Sequence, residues 1–424
     1  MDLRRRQLAL RALATWPLLC AAVRPAMAAR PDVLTVAAFP AVDQIVRAAL
    51  PRWKQLHPQV GIEVLSRQFV DHHTAMTTAL STSGRLPDVM ALEIGYVGRF
   101  AQGSGLKDLS AEPFGAERWK DRWVPYAVGQ GRNASGAIVA VPTDIGPGTL
   151  LYRQDLFERA GVSEADLTHS WDTFVEAGRR LKARTDAYLV GHARELKDIV
   201  IRTGLPSGHG LYFDEQGRAA VHAPRFARAF ELARRVRQER LDARVSNWSN
   251  EWTTGLRRGA LATQVTGAWL AGHLANWLAP DTRGLWRAAS LPEQAAAAYG
   301  GAFFALPRRA DPARQAWAWE LVRLLTLDRD LQLGAFRAHD AFPALLATHD
   351  DPFFDEPIAF LGGQRARVLW REAARRITPV AVHRHDAFAD EVVNTELDKV
   401  LDRGKAIDTA LADAQRLLDK RARR

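Results

Sequence analysis

The chain has 424 residues and a formal net charge of +10, with 58 Lys and Arg against 48 Asp and Glu. The positive charge is nearly all arginine and is scattered among acidic residues instead of forming one stripe, which argues against a nucleic-acid-binding protein. A chain of this length exceeds the size at which a single hydrophobic core keeps growing, so two domains are expected.

The first 28 residues have the composition of an export signal. Residues 4–6 form a basic start, residues 8–23 an apolar stretch, and residues 26–28 supply small side chains for cleavage after Ala28. The arginine pair also resembles a twin-arginine signal, so both export routes stay open. Cleavage removes five arginines, one aspartate and the only cysteine, Cys20, and leaves a net charge of +6. We therefore expect a periplasmic protein without disulfides or thiol chemistry, and no later apolar run is long enough to cross a membrane.

Strand and helix patterns alternate at the start of the mature chain. Residues 33–36 are a short β-rich run, and apolar residues then recur at helical spacing over residues 42–53, where Pro51 is predicted to kink or split the helix. Residues 60–64 and 89–92 predict two further strands with a helix between them. This alternation predicts an α/β fold that begins as a doubly wound sheet.

A doubly wound sheet binds ligands beyond the carboxyl ends of its strands. That rule places residues 39–43 and 93–96 at the edge of a cleft. Asp43 has two interpretations here, as a cap of the first helix or as a ligand contact.

Helices are predicted to dominate the rest of the chain. Ser170 is a suitable N-cap for a helix with an apolar stripe, and Asp311 followed by proline predicts the start of another. Two amphipathic helices separated by Gly404 are predicted to end the chain.

Ten short phrases occur in a fixed order along the mature chain. They are Leu86-Pro87-Asp88-Val89, Phe100-Ala101-Gln102, Gly105-Leu106, Val141-Pro142-Thr143-Asp144, Leu151 to Phe157, Ala160-Gly161-Val162, Ser170 to Phe174, Gly259 to Trp269, Gly300 to Pro307 and Ala316 to Trp319. In this order the chain resembles the extracellular solute-binding proteins of family 1, the carbohydrate-binding receptors of bacterial ABC importers related to maltose-binding protein. Each phrase alone is a weak match, but chance agreement becomes rare when all of them must occur in the same order.

The resemblance implies a two-lobed periplasmic binding protein, a Venus-flytrap fold whose hinge is crossed more than once. Residues 30–140 plus 305–345 would form lobe 1, and residues 141–304 plus 346–424 lobe 2. A monomer of this kind would close around a sugar and deliver it to the transmembrane permease subunits and their ATPase. It would make or break no bond, and neither a cofactor nor a metal is implied.

Sugar chemistry and the resemblance together indicate the site residues. A pyranose has an apolar face that stacks on aromatic rings and a rim of hydroxyls that pairs with planar polar groups. Trp269, after the small residues 266–268, matches the place where relatives of maltose-binding protein present a stacking tryptophan. Glu93 and Tyr96 match positions where the family often has a sugar-binding Asp and an aromatic residue, with Glu in place of Asp.

Further candidates each have a structural alternative. Asp144 either binds ligand or shapes its own turn, and the spacing of Trp252 to Leu256 favours packing in the core. Four more residues could line the cleft. Trp248 and Tyr299 could be aromatic platforms, Gly301 could allow a close backbone approach, and Arg337 could be a cation.

Other functions stay open at this point. The same fold could bind a polyamine, a sulfonate or a glycerol-phosphate, and Glu93 with Asp144 could be cast as the paired carboxylates of a secreted glycosidase. The histidines at residues 72–73 and 383–385 lack the spacing of a zinc site and are predicted to lie in surface loops.

Overall fold

The structure is a computed structural model that describes residues 32–82 and 84–422. The predicted leader, its cleavage site and its export route lie outside the described residues. Within the described residues, no helix has the length and apolar character needed to cross a bilayer.

Two separate sheets organise the described part of the chain. The strands are β1 Asp32–Ala38, β2 Val60–Ser66, β3 Val89–Glu93, β4 Val141–Pro142, β5 Gly148–Arg153, β6 Thr263–Gly267, β7 Trp286–Ala289 and β8 Ala302–Ala305. One sheet has the order β2-β1-β3-β8-β4 and the other the order β6-β5-β7. Strand β1 is parallel to β2 and β3, which confirms the predicted doubly wound start, and β8 returns antiparallel between β3 and β4.

Helices cover both sheets. In chain order they are α1 Val42–Leu56, α2 Phe69–Ser81, α3 Ile94–Ala101, α4 Pro125–Gln130, α5 Gln154–Ala160, α6 Glu164–Thr168, α7 Trp171–Arg184, α8 Arg194–Val200, α9 Pro224–Gln238, α10 Asn250–Arg258, α11 Leu270–His273, α12 Gln315–Leu327, α13 Arg329–His339, α14 Ala366–Arg375, α15 Asp386–Arg403 and α16 Ile407–Ala422. Helix α11 continues into a π turn over Leu274–Leu278.

The predicted split of the first helix at Pro51 is wrong. Helix α1 runs through Pro51 without interruption. Pro51 is exposed, whereas the stripe from Val42 to Trp53 on the opposite face is buried. Packing of that stripe offsets the backbone hydrogen bond that proline cannot donate.

The predicted helix ends are confirmed. The Ser170 hydroxyl accepts from the backbone N–H of Thr173 at 3.1 Å and forms a capping box with it. Asp311 caps the turn that leads into α12. Gly404 has a φ of +67°, the left-handed conformation that ends α15 and lets α16 fold back on it.

Three chain segments connect the two sheets within residues 84–422, near residues 143–148, 297–302 and 340–345. The first two pair closely, with Tyr299 N donating to Gly146 O at 2.7 Å and Gly148 N to Ala297 O at 2.8 Å. Ile145 N donates to Phe342 O at 2.8 Å and so adds the third segment. The architecture confirms the two-lobed α/β fold with a hinge crossed more than once.

The lobe ranges as a whole stay a prediction, but strand pairing corrects them near the hinge. The predicted ranges assign Val141–Pro142 and residues 302–304 to lobe 2, whereas these residues belong to strands of the five-stranded sheet. The family resemblance gives only the approximate extent of each lobe. The residue at which the chain crosses the hinge depends on which sheet each strand pairs with. Below, the first lobe is the part built on the five-stranded sheet and the second lobe the part built on the three-stranded sheet.

Candidate ligand-binding site

Glu93 and Tyr96 lie together at the carboxyl end of β3, as predicted from the strand order. Glu93 is the N-cap of α3, and its carboxylate accepts from Gly95 N at 2.7 Å. Its backbone N–H donates to His73 Nε2 at 3.1 Å, so His73 must carry its proton on Nδ1, which lies 2.8 Å from Phe69 O. The His73 ring stacks on Tyr96 at 3.9 Å between centroids and holds the phenol in place.

The placement of His72 and His73 in a surface loop is wrong. Both side chains are fully buried on α2, and His72 Nε2 lies 2.7 Å from Ala91 O. Burial lowers the pKa of His73 to about 4, so the ring is neutral at the pH of most cells. The pair therefore supports the first-lobe wall of the site from behind.

Asp144 and Gly301 lie in hinge segments, and Tyr126 lies on α4 close to Asp144. The Asp144 carboxylate accepts from Ala302 N across the hinge. The buried Tyr126 hydroxyl, close enough for the Asp144 charge to act on it, has no hydrogen-bond partner. Gly301 has a φ of +128°, and its carbonyl accepts from Ile94 N at 3.0 Å, which fixes the start of α3 to the hinge.

Arg202 is the central cation on the second-lobe side. Its guanidinium lies 4.8 Å from the centre of the Tyr299 ring. Its charge acts on Glu93 from the first lobe and on Asp386 at the start of α15. Arg202 therefore lies close enough to a carboxyl group of each lobe for its charge to act on both.

Asp386 faces the same space. One carboxylate oxygen accepts from His383 N at 2.7 Å, while the other, Oδ1, is buried without a hydrogen-bond partner. Asp390, one turn further along α15, accepts from Tyr212 Oη at 2.6 Å and pairs with Lys197 at 3.3 Å. Asp390 is thus engaged, and Asp386 retains an acceptor for a ligand.

Burial leaves the carboxyl groups of the site hard to ionise. It raises the pKa of Glu93 to about 7 against the opposing pull of Gly95 N–H and Arg202. Burial likewise raises the pKa of Asp386 to about 7 and that of Asp144 to about 6. A protonated carboxyl both donates and accepts hydrogen bonds, which suits it to hydroxyl groups.

We expect the ligand-free protein to lose stability as the pH rises from 6.5 to about 8.5. The folded pKa values of Glu93 and Asp386 lie above the ordinary values of 4.5 and 3.8, so their stabilising contribution is complete below those values and is lost as the pH rises through about 7. His73 has the opposite effect, but only below its ordinary pKa of 6.5. Melting temperatures across this window should fall less steeply for the double variant Glu93→Gln/Asp386→Asn than for the wild type. The exposed Glu251→Gln is the control, and equal slopes for all three proteins would contradict the assignment.

Trp269 is anchored to the hinge by its indole N–H, which donates to Tyr299 O at 2.9 Å. Gly267 and Gly300 make this approach possible, since a Cβ on either would lie within 2.6 Å of the Trp269 Nε1 atom. The ring is partly exposed and near-parallel to that of Trp248, with centroids 5.9 Å apart. Tyr299 thereby joins the Arg202 cluster to Trp269.

Two predicted site residues take structural positions instead. Trp252 is 1% exposed, which agrees with the packing role and argues against ligand contact. Asp43 does not cap α1, whose N-cap is Ala41, and its buried Oδ1 has no hydrogen-bond partner, so ligand contact by Asp43 stays a prediction. Arg337 pairs with Asp351 at 3.0 Å and lies over the Phe353 ring, so that side chain is committed to packing α13.

Sequence reasoning missed Arg202, Tyr126 and Asp386 as candidate site residues. Arg202 and Tyr126 belong to no motif, and only the folded chain brings Arg202 near Glu93 and Asp386 and brings Tyr126 near Asp144. Trp277, outside this group, did have a signal: it follows Trp269 by eight residues, with a histidine halfway, which is the spacing of one helix face.

A cavity of about 300 Å³ lies apart from these residues, between β1, β2 and α2. Glu63, Arg67 and Arg85 are among its polar lining residues, and none of the candidate site residues lines it. Among the residues that the structure describes, no three His, Cys, Asp or Glu side chains converge as a metal site would require.

Two α/β lobes joined by a three-segment hinge have the architecture of periplasmic binding proteins. The chain belongs to the bacterial extracellular solute-binding protein family, whose model matches residues 36–330.

Individual relatives agree with this membership. The chain is 25% identical over 370 residues to a lactose-binding protein of Rhizobium radiobacter, and the match covers 82% of each chain. It is 25% identical over 179 residues to an arabinooligosaccharide-binding protein of Halalkalibacterium halodurans, covering 41% of this chain and 38% of that one.

Solved structures share the fold. An extracellular solute-binding protein of family 1 has a TM-score of 0.79 at 24% identity, with 92% of this chain and all of that chain covered. A transporter-associated binding protein from B. animalis subsp. lactis, solved with β-1,6-galactobiose, has a TM-score of 0.76 at 21% identity, with 92% and 98% covered.

Proposed function

We propose that this chain is the periplasmic receptor of an ABC importer that binds a carbohydrate between its two lobes. It delivers the sugar to the transmembrane permease subunits, which work with their ATPase, and it acts as a monomer. The observation that carries the proposal is the set of groups at the site that still lack partners, the Tyr126 hydroxyl and Asp386 Oδ1. Buried polar groups are rarely left unpaired, so a ligand with several hydroxyls fits them.

The site also has the second element that a sugar needs. Trp269 offers a flat apolar ring that is bonded to Tyr299, the residue on which the Arg202 guanidinium packs, and Arg202 supplies a positive charge close to Glu93 and Asp386. Relatives with names that specify lactose and arabino-oligosaccharide binding support a sugar as the solute. No bond of the sugar is made or broken in this role.

A thermal-shift screen tests the proposal. Purified mature protein is heated with mono-, di- and oligosaccharides, polyamines and phosphate esters, because a ligand that binds only the folded state raises the melting temperature. One sugar class is expected to give a clear shift at millimolar concentration or below, and Asp386→Asn should reduce it. No shift with any sugar would contradict the proposal.

A cationic solute such as a polyamine is the second candidate, because carboxyl groups outnumber cations around the cleft. The Arg202 charge acts on Glu93 and Asp386, Asp144 lies close to Glu93, and Asp390 pairs with Lys197. A shift with spermidine and none with sugars would favour this alternative. The same carboxyl groups argue against an anion such as glycerol-phosphate.

The glycosidase alternative rests on the pair Glu93 and Asp144. Burial raises the pKa of Glu93 to about 7, as a catalytic acid needs, and that of Asp144 to about 6, which leaves Asp144 mostly ionised at neutral pH. Prolonged incubation with the stabilising sugar, followed by chromatography, is expected to recover it intact. Appearance of shorter products would establish the enzyme.

A further inference from the structure

Three tryptophans and one histidine form a continuous aromatic surface that extends from Trp269 to the exterior. We call this set of rings the aromatic platform; its members are Trp248, Trp269, His273 and Trp277. Trp248 is near-parallel to Trp269 and to Trp277, with interplanar angles of 16° and 20° and centroid distances of 5.9 and 6.3 Å. His273 lies within 6.0 Å of all three indoles.

The local sequence explains how the rings come together. Trp269, His273 and Trp277 are four residues apart, so they lie on one face of α11 and the π turn that continues it. Trp248 precedes the N-cap of α10 and packs over that face from the other side, held by Trp252 at 5.3 Å.

The backbone that positions the platform is strained at Trp248. Trp248 has a φ of +70°, a left-handed conformation that is unfavourable for a bulky side chain. The Arg257 guanidinium, on α10, donates to Leu278 O at 2.6 Å and to Trp277 O at 3.0 Å, which ties the π turn to the helix that follows Trp248. Strained backbone and π turns both occur preferentially at functional sites.

The outer rings are left open to solvent. Trp248 is 54% exposed and Trp277 is 52% exposed, although indoles are usually covered in folded proteins. Burial lowers the pKa of His273, so the platform is uncharged. It is also continuous with the site, through Trp269 and the Tyr299 carbonyl that its indole N–H contacts.

We propose that Trp248 and Trp277 bind the outer sugar units of an oligosaccharide whose inner end lies between the lobes. Flat, uncharged, near-parallel rings match the C–H faces of successive pyranose or furanose units. Because the platform is continuous with Trp269, a longer sugar that also occupies the site fits it better than an unrelated binding partner does. The proposal rests on the proposed function and deepens it, because it makes the preferred substrate an oligosaccharide.

Titration calorimetry with a length series tests the inference. The sugar class found in the thermal-shift screen is used from the disaccharide to the pentasaccharide, on wild type, Trp277→Ala and Trp277→Phe. Wild-type affinity should rise about tenfold from the disaccharide to the longest member, Trp277→Ala should lose that gain with disaccharide affinity unchanged, and Trp277→Phe should retain most of it. The remote, exposed Leu417→Ala controls for loss of surface apolar area.

Three results would overturn the inference. Wild-type affinity that does not depend on length, or an equal loss for all lengths in Trp277→Ala, means that the outer rings do not contact sugar. Self-association in sedimentation velocity that Trp277→Ala abolishes, without any length dependence, would assign the platform to a second copy of the chain. Length-independent binding leaves the receptor function standing, whereas absence of binding to every sugar removes both proposals.

Discussion

Replacing Trp269 by alanine is expected to weaken sugar binding by about 1 to 3 kcal/mol, through loss of stacking between the indole and the apolar face of the sugar. The ring is partly exposed, and its N–H holds it against Tyr299 O, so it presents its face without rearrangement when ligand arrives. A ring that is already fixed adds little ordering cost to binding, which keeps the expected effect large.

The measurement is calorimetric affinity for the sugar found in the screen, together with the melting temperature of ligand-free protein. Trp269→Phe, which keeps a flat ring and loses the N–H, should have an intermediate affinity. Trp317→Ala removes another partly buried tryptophan on α12, outside the site, and should bind as the wild type does. A ligand-free Trp269→Ala protein that melts far below the wild type would instead assign the ring to the core.

Gly146→Ala is expected to destabilise the ligand-free protein by about 2 to 4 kcal/mol. A Cβ at this position would lie 2.1 Å from Tyr299 O and 2.7 Å from Tyr299 C. Both obstacles are backbone atoms of the neighbouring hinge segment, so the two segments must separate and the bond from Tyr299 N to Gly146 O must break. Separation there also moves Trp269, so sugar affinity should fall together with stability.

Urea unfolding midpoints measure the effect. Gly334→Ala is the matched control, because Gly334 lies on the exposed face of α13 with no atom within 4 Å of a new Cβ. Alanine favours the helix, so this control should gain about 0.5 to 1 kcal/mol. Equal midpoints for Gly146→Ala and the wild type would show that the hinge segments are not packed as closely as described.

The candidate site divides into residues that local pattern predicts and residues that only folding reveals. Glu93 and Tyr96 follow a predicted strand, and the ends of parallel strands meet at one edge, so their placement follows from chain order. Trp269 was found through the phrase around it. Arg202 and Asp386 are separated by 184 positions along the chain, and no local pattern indicates that they face the same space.

Most of the wrong predictions concern residues whose burial the sequence does not show. Trp252 and the two histidines on α2 are of residue types that occur both in cores and in sites, and a one-dimensional pattern does not give their exposure. Arg337 is predicted as a cation of the cleft, but its guanidinium pairs with Asp351 and lies over the Phe353 ring. Pro51 shows the reverse case, in which the packing of an apolar stripe overrides a local helix-breaking signal.

The sequence by itself determined the α/β start, the caps of the later helices and the family, because these depend on periodicity, capping chemistry and ordered motifs. Tertiary structure decided the hinge pairing, the raised pKa values of the site carboxyls and the aromatic platform. Each of these depends on distances between segments remote in the chain and on the water excluded between them, and neither quantity is encoded at any single position.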